Sequence, residues 1–599
     1  MTRFKVVRCC LAVCFACSFL FSVGSPSLAD ETGAEPKDGD KTAAVGIKKV
    51  SDWGYNAEDA TEFLQAALDS GERRILIDRQ SGPWMIRPVS LRSDQEIVFE
   101  EGVEIVAKRG AFLGKGDSLF RGDNVENLIL RAEGKGATLR MWKSDYHEPP
   151  YEKAEWRHAL CLKSCKNILV ENLSFVSSGG DGIYLGVATK GVPCCNVTIR
   201  NVVCDDNNRQ GISVISAREL LIEDTLLRNT SGTAPAAGID FEPNAESEEL
   251  VHCVMRNCIS ENNDGGGYLF ALHQQSDASA PISITLESCI SRNNTGRGLN
   301  LYTNAENGPP KGTLHFNGLR LENDGVPALH RDSCENSLKL TFERSSMTLG
   351  QETTDLDSAW LEKVAPRINP ANLPIVLPDV TRLKLIRGAQ QNDETGDIFV
   401  RSLLGILAYA EQGQEVELAI QQHRVGGYEV DESTIAVVSP SGHEEKFSLI
   451  PSFNEPTVIQ FVAKESGCYK LTTRIPRNAC QIKSANVPWC YCGKKISLYR
   501  PQSVLYFRVP EGTARFDLTV MGSQGEAISA EICDANGKSV WTAENISTLA
   551  AFVSGDSPEP GVWSVALKKP SEGSFEDCAV ALFGIPAILF ERPDSSWSE

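Results

Sequence analysis

The sequence predicts an all-β chain: a stacked solenoid of parallel strands, opened by a capping helix and followed by two antiparallel β-sandwich domains. Three observations predict it. Five times between Ser177 and Tyr302 a glycine opens a short alternating strand: Gly182-Ile-Tyr-Leu, Gly211-Ile-Ser-Val, Gly238-Ile-Asp-Phe, Gly267-Tyr-Leu-Phe and Gly298-Leu-Asn-Leu. These glycines stand 29, 27, 29 and 31 residues apart, a period that marks stacked coils. An amphipathic segment precedes them, and alternating strands split by turns follow from about Asp397.

The chain begins with a stretch that reads as a secretory leader over residues 1–29. Arg3, Lys5 and Arg8 form a basic start, Cys9 to Val23 an apolar run, and Ser27-Leu28-Ala29 a small-residue cleavage site. Secretion or a periplasmic location is therefore expected, with no membrane attachment once the leader is gone. Residues 30–46 are rich in Asp, Glu, Lys and Gly and read as a disordered linker. Asn56 to Gly71 reads as a short helix, with Asn56 as cap, Ala60, Phe63, Leu64, Ala67 and Leu68 as its apolar face, and Gly71 as its stop. Such a helix covers the exposed end of a first coil.

The solenoid is expected over 47–349. Nine residues before the strand glycines stand Leu173, Val202, Cys258 and Cys289, an apolar position repeated once per coil; four before them stand Ser178, Asn207, Asn263 and Asn294. The second set reads as a structural asparagine ladder, since asparagine tolerates left-handed backbone and its amide can bond the next coil. The third coil breaks this phase. Residues 350–395, with Pro366, Pro370, Pro374 and Pro378, read as a connecting segment. Sandwiches are expected over 396–499 and 500–599, each with a Gly-x-Tyr/Trp-x-Leu/Val phrase, at Gly467 and Gly561.

Charge narrows the partners. Lys and Arg number 59 against 79 Asp and Glu, a net −20, and loss of the leader removes three more basic residues. That balance excludes nucleic acid as a natural partner and disfavours anionic membranes. Secretion permits disulfides, and the cluster Cys480, Cys490 and Cys492 suggests one or two bridges.

On the strands, residues one and three after each glycine point inward and residues two and four point outward. The outward set holds Tyr184, Ser213, Asp240 and Glu242, with Asp181, Arg209 and Gln210 at its leading edge. Asp240 and Glu242, two apart on one face, suit paired-carboxylate acid/base chemistry, with Asp181 as a third acid. Solvated carboxylates, or a structural Ca²⁺ site, are the plain alternatives. The run from Met141 to His158 is too long for a turn and reads as a wall. In it Trp142, Tyr146, Tyr151 and Trp156 could stack on sugars, and Arg157 and His158 could reach the groove. Leu269 and Ala271, outward on the fourth strand, place that coil beyond the centre.

Ala67-Leu-Asp-Ser-Gly71, Ile75-Leu-Ile-Asp78 and Gly82-Pro-Trp-Met-Ile-Arg-Pro-Val-Ser-Leu91 resemble the start of right-handed parallel β-helix proteins of the pectate lyase and polygalacturonase type. Glu155-Trp-Arg-His158, Gly180-Asp-Gly-Ile-Tyr-Leu-Gly186, Arg209-Gln-Gly-Ile-Ser-Val-Ile-Ser216 and Gly238-Ile-Asp-Phe-Glu-Pro-Asn244 resemble secreted bacterial β-helix proteins linked to polysaccharides. The resemblance implies a right-handed parallel β-helix and a polysaccharide substrate. The Asn-Thr-Asp and Gly-His-Gly phrases of polygalacturonases are absent. The leading expectation is a secreted glycoside hydrolase without a cofactor. Asp240, Glu242 and Asp181 would be its acids, and Arg209, Tyr184, Ser213, Gln210, Arg157, His158 and Trp156 its substrate-binding residues. A lyase or epimerase acting on uronates is the alternative, with Arg209 or Arg157 neutralising the carboxylate and His158 or Tyr184 serving as base. A non-catalytic glycan-binding protein is the third reading.

Overall fold

The computed structural model describes residues 47–598 apart from 304–309, 334–336, 366, 382, 388–397, 427–428, 431–432, 450–451, 523–525 and 594–595. The leader and linker expected over 1–46 lie outside the described residues.

Residues 47–364 form a right-handed parallel β-helix of three sheets. The first sheet has eleven strands, from Lys48–Lys49 to Leu338–Glu343; the second has nine, from Val89–Ser90 to Leu329–Arg331; the third has eleven, from Trp84–Ile86 to Glu352–Leu356. One regular coil runs Lys166–Glu171 in the first sheet, Leu173–Val176 in the third and Ile183–Gly186 in the second. In-register pairing stacks like on like. In the first sheet Ile168, Val197, Leu220, Cys253, Ile284 and Leu314 form one inward ladder, all nearly fully buried. Burying one such side chain contributes roughly 1.5–3 kcal/mol, so each coil is held mainly by its neighbours.

The strand glycines sit where the chain turns from the third sheet into the second. A Cβ on Gly211 would lie 2.4 Å from the Gly238 carbonyl oxygen, and one on Gly267 would lie 2.7 Å from that of Gly298. Close approach of adjacent coils, not chain reversal, is why the period is written in glycine. The asparagine ladder forms beside it. Asn207 accepts from the Ser178 N–H, Asn263 from Thr230 N–H and Asn294 from Asn263 N–H, all buried. Asp324 continues the ladder by accepting from Asn294. The phase break lies in the third coil, where Thr230 holds the asparagine position eight residues before Gly238 instead of four.

Both ends of the solenoid are closed. The N-terminal helix spans Thr61–Asp69, shorter than the sequence suggests. Asn56 accepts from Glu58 instead of capping, and Asp59 accepts from the Thr61 N–H. Leu64, Ala67 and Leu68 enter the core. At the other end Glu352–Leu356 turns back antiparallel on Ser345–Leu349, and the helix Ser358–Val364, capped by Asp357, inserts Leu361.

The C-terminal part is antiparallel β. One sheet of twelve strands runs through both halves, and a second has four, Val504–Val509, Ile528–Cys533, Ser539–Ile546 and Gly561–Lys568. Ile496–Tyr499 pairs with Asp577–Phe583, so the halves at 396–499 and 500–599 share a sheet and one apolar cluster. The proline-rich segment lies on this part. Ala371 N–H donates to Asp517, and Pro374 and Val376 carbonyls accept from Gly584 and Ala587. The bridges suggested for Cys480, Cys490 and Cys492 are not formed: all described cysteines are free thiols. Cys480 points into the main cluster, whereas Cys490 and Cys492 point into a separate one with Cys468. Cys258 and Cys289, stacked in the solenoid, are also free.

Candidate active site

The site is built on the outward face of the second sheet. Pairing sets Cys161, Tyr184, Ser213, Asp240, Leu269, Asn300 and His330 in one row across adjacent strands. Arg209 is the hub. Its Nη2 donates to Glu242 Oε2 at 2.8 Å and its Nη1 to Ser213 Oγ at 3.3 Å. Its Nη1 also lies 3.8 Å from Asp181 Oδ2 and 3.9 Å from Asp240 Oδ2. Burial acts against the guanidinium's charge, but Asp181, Asp240 and Glu242 outweigh it and hold the group protonated.

Asp240 points outward from its strand and Asp181 lies in the turn before Ile183–Gly186, yet both are fully buried, with Arg209 close to each. This corrects the expectation that both meet a substrate. Asp240 Oδ2 accepts from Gln210 Nε2 at 2.6 Å. Gln210 in turn accepts from the Ala237 N–H and is itself buried, so it orients Asp240 and is not open to a ligand. Burial, then the nearby Glu242, pushes the Asp240 carboxyl well above the usual range, against the pull of Arg209. Ser213 is also fully buried.

His158 Nδ1 lies 3.2 Å from Asp181 Oδ2 and accepts from the Asp181 N–H at 3.1 Å. Its ring stacks on Tyr184, centroids 4.5 Å apart. Burial pushes the Tyr184 phenol upward, so it is no base near neutral pH. Both belong to the platform beneath the site. Arg157 is corrected outright. It is fully buried, donates to the carbonyls of Phe112, Leu113 and Glu152, and lies against the Tyr146 ring. It pins the long loop instead of reaching the groove. That loop is packed by its own aromatics: Tyr146 contacts Phe112 and Tyr151, and Trp142 Nε1 donates to the Ala107 carbonyl. Trp156 alone of the four is exposed, at 49%.

Beside the Arg209 hub opens a cleft of about 750 Å³. Glu155, Arg209 and Glu242 form one end; Arg297, Asn300 and Tyr302 line it farther along; Leu269 and Ala271 lie on its floor. The fourth coil is thus part of the cleft, another correction, and Ala234 and Pro235 of the irregular third coil form a wall. Sequence reasoning passed over Glu155 and Arg297. Arg297 has a signal: it stands just before Gly298, as Asp181 stands before Gly182. Glu155 lies on a non-repeating loop, and its signal is that it opens the phrase Glu155-Trp-Arg-His158. Burial pushes the Glu155 carboxyl up, Arg209 draws it down, and Asp181 and Glu242 push it up again, for a net rise. Among the described residues no His, Cys, Asp and Glu cluster is arranged to hold a metal ion. No described helix is long and apolar enough to cross a membrane.

Curated and solved proteins offer distant likenesses. The chain is 26% identical over 117 residues to the uncharacterized protein YclG of Bacillus subtilis (strain 168), covering 17% of this chain and 20% of that one. Among solved structures, the polygalacturonase from Erwinia carotovora ssp. carotovora is 12% identical, with a TM-score of 0.32 over 55% of this chain and 98% of that chain. The tailspike protein gp49 from Acinetobacter baumannii bacteriophage Fri1, a capsular polysaccharide depolymerase, is 11% identical, with a TM-score of 0.32 over 74% and 88%. Residues 152–318 match the family model for a right handed beta helix region, the stretch that carries Glu155, Arg209, Glu242 and Arg297.

Proposed function

We propose that this chain is an exported glycoside hydrolase that cleaves a polysaccharide lying along the cleft of the second sheet. One observation carries the reading: two glutamates reach the cleft, and only one of them is ion-paired to Arg209. Glu155 has its proton affinity raised by burial, whereas Glu242 is ion-paired to Arg209. A carboxyl with raised proton affinity beside a carboxylate paired to a cation is the division of labour that glycosidic cleavage requires.

In this reading Glu155 gives its proton to the glycosidic oxygen as the bond to the anomeric carbon breaks. Glu242 acts on the reacting sugar from its paired side, and one water is consumed. Asp240 and Asp181 do not touch substrate. With Gln210 and Ser213 they fix Arg209, and through it Glu242. The shape of the cleft supports an extended substrate. Its lining runs from the strand at 237–241 to the turn at 325–326, three coil spacings or roughly 14 Å. The phrases that resemble polysaccharide-linked β-helix proteins support the same substrate class.

The test is a polysaccharide panel read by product mass. Hydrolysis adds one water per bond cut. An unsaturated product absorbing in the ultraviolet would instead favour the lyase reading, and retention of a glycan with no product would favour a binding protein.

A further inference from the structure

The two ends of the cleft are chemically unlike. At one end Arg209 is saturated by acids. At the other, Arg297 lines the cleft, and no carboxylate among the described residues lies within ion-pair distance of it. Its neighbours register its charge. Burial, then Arg297, depresses His330 to about 4, which leaves that imidazole neutral under ordinary conditions. Burial pushes the Tyr302 phenol up while Arg297 draws it down, and the Tyr302 ring lies 5.3 Å from that of His330. Among the described residues no buried counter-charge pairs with this arginine, in contrast with Arg209. A second observation points the same way. Asn300 lines the cleft only 8% exposed, yet its side-chain Oδ1 has no hydrogen-bond partner. A buried polar atom left without a partner is destabilising, and a ligand hydroxyl in the cleft would satisfy it.

We infer that Arg297, Asn300 and Tyr302 form a subsite for a sugar carrying an anionic substituent, a carboxylate or a sulfate. Arg297 would take the anion, and Asn300 would take a neighbouring hydroxyl. Asn300 lies two strands from Asp240 in the same row, roughly 10 Å. The anionic unit therefore lies along the chain from the bond cut at the Glu155 end. Arg297 is a specificity residue, not a catalytic one. The inference rests on the cleft being a polysaccharide site.

The test measures binding of the full chain to a polyuronate, to a sulfated polysaccharide, and to their carboxyl-reduced and desulfated counterparts. The wild type is expected to prefer one acidic polymer over its neutralised form by about tenfold or more, the scale of one charge-assisted contact. The arm that loses affinity on neutralisation identifies the anion. Arg297→Gln should erase the preference, and Arg297→Lys should restore much of it. Equal binding of acidic and neutralised polymers, or no binding of any acidic polymer, would overturn the subsite, and the wild-type arm decides this even if Arg297→Gln does not fold. Cleavage of uncharged polymers alone would remove the subsite and leave the hydrolase standing. Arg297-dependent binding without product would keep the subsite and remove the hydrolase.

Discussion

Replacing Arg209 by methionine removes the cation shared by Glu242 at 2.8 Å, Asp181 at 3.8 Å and Asp240 at 3.9 Å. A unit pair at about 4 Å is worth roughly 4 kcal/mol at an effective dielectric of about 20. That gross term is offset by the burial of the charges and by repulsion among the acids. The net cost of stranding buried acids is about 3–5 kcal/mol, and three acids around one arginine place this site toward the upper end. The loss has a definite pH dependence. Without Arg209 the buried carboxyls bind protons more tightly folded than unfolded. Below about pH 4 both states are protonated and the deficit is smallest. As pH rises, the unfolded chain ionises while the folded variant resists, so the deficit grows by about 1.4 kcal/mol per pH unit for each retained proton until that proton is lost. Urea unfolding from acid to neutral pH measures this, and hydrogen exchange in strands 210–214 and 237–241 localises it. A deficit that is independent of pH, or largest in acid, would refute the hub.

Asp240→Asn makes permanent the neutral form that burial already favours. Because the folded carboxyl has a raised proton affinity, the wild type loses stability relative to this variant as pH rises above the unfolded carboxylate value, and paired unfolding curves should diverge in that direction. Asn294→Ala strips the partner from the Asn263 N–H and empties the ladder position bonded to Asp324. Each orphaned buried group costs roughly 1–3 kcal/mol, and a shift of the urea midpoint reports it. The pH–rate profile should fall on the alkaline side as Glu155 loses its proton, and Glu155→Gln should abolish that limb along with most of the rate.

Much of the fold was legible, because coil stacking repeats its demands. Gly211 and Gly267 are dictated by the next coil's carbonyl, and Asn263 and Asn294 by the preceding coil's N–H, so period and phase recover them. Strand alternation likewise assigned Ile212 and Ile239 inward and Ser213 and Asp240 outward. Alternation gives a side chain's face but not what covers it. Asp181 and Asp240 are buried with a long arginine from the turn before the strand close to each, a tertiary fact with no periodic trace. Arg157 deceived for the same reason: a basic residue ahead of a strand looks available until the carbonyls of Phe112 and Leu113, 45 and 44 residues away, close on it. The broken third coil was visible only as a fault in phase, and it proves to supply a cleft wall at Ala234 and Pro235.

The division of labour among the acids is tested most directly by one side-by-side cleavage assay on the responsive polysaccharide, comparing wild type with Glu155→Gln, Glu242→Gln and Asp240→Asn. The account predicts a loss of about 10²–10⁴ in rate for each glutamate variant and substantial activity in Asp240→Asn, which never meets the substrate. Full activity in either glutamate variant, or selective loss in Asp240→Asn, would contradict it.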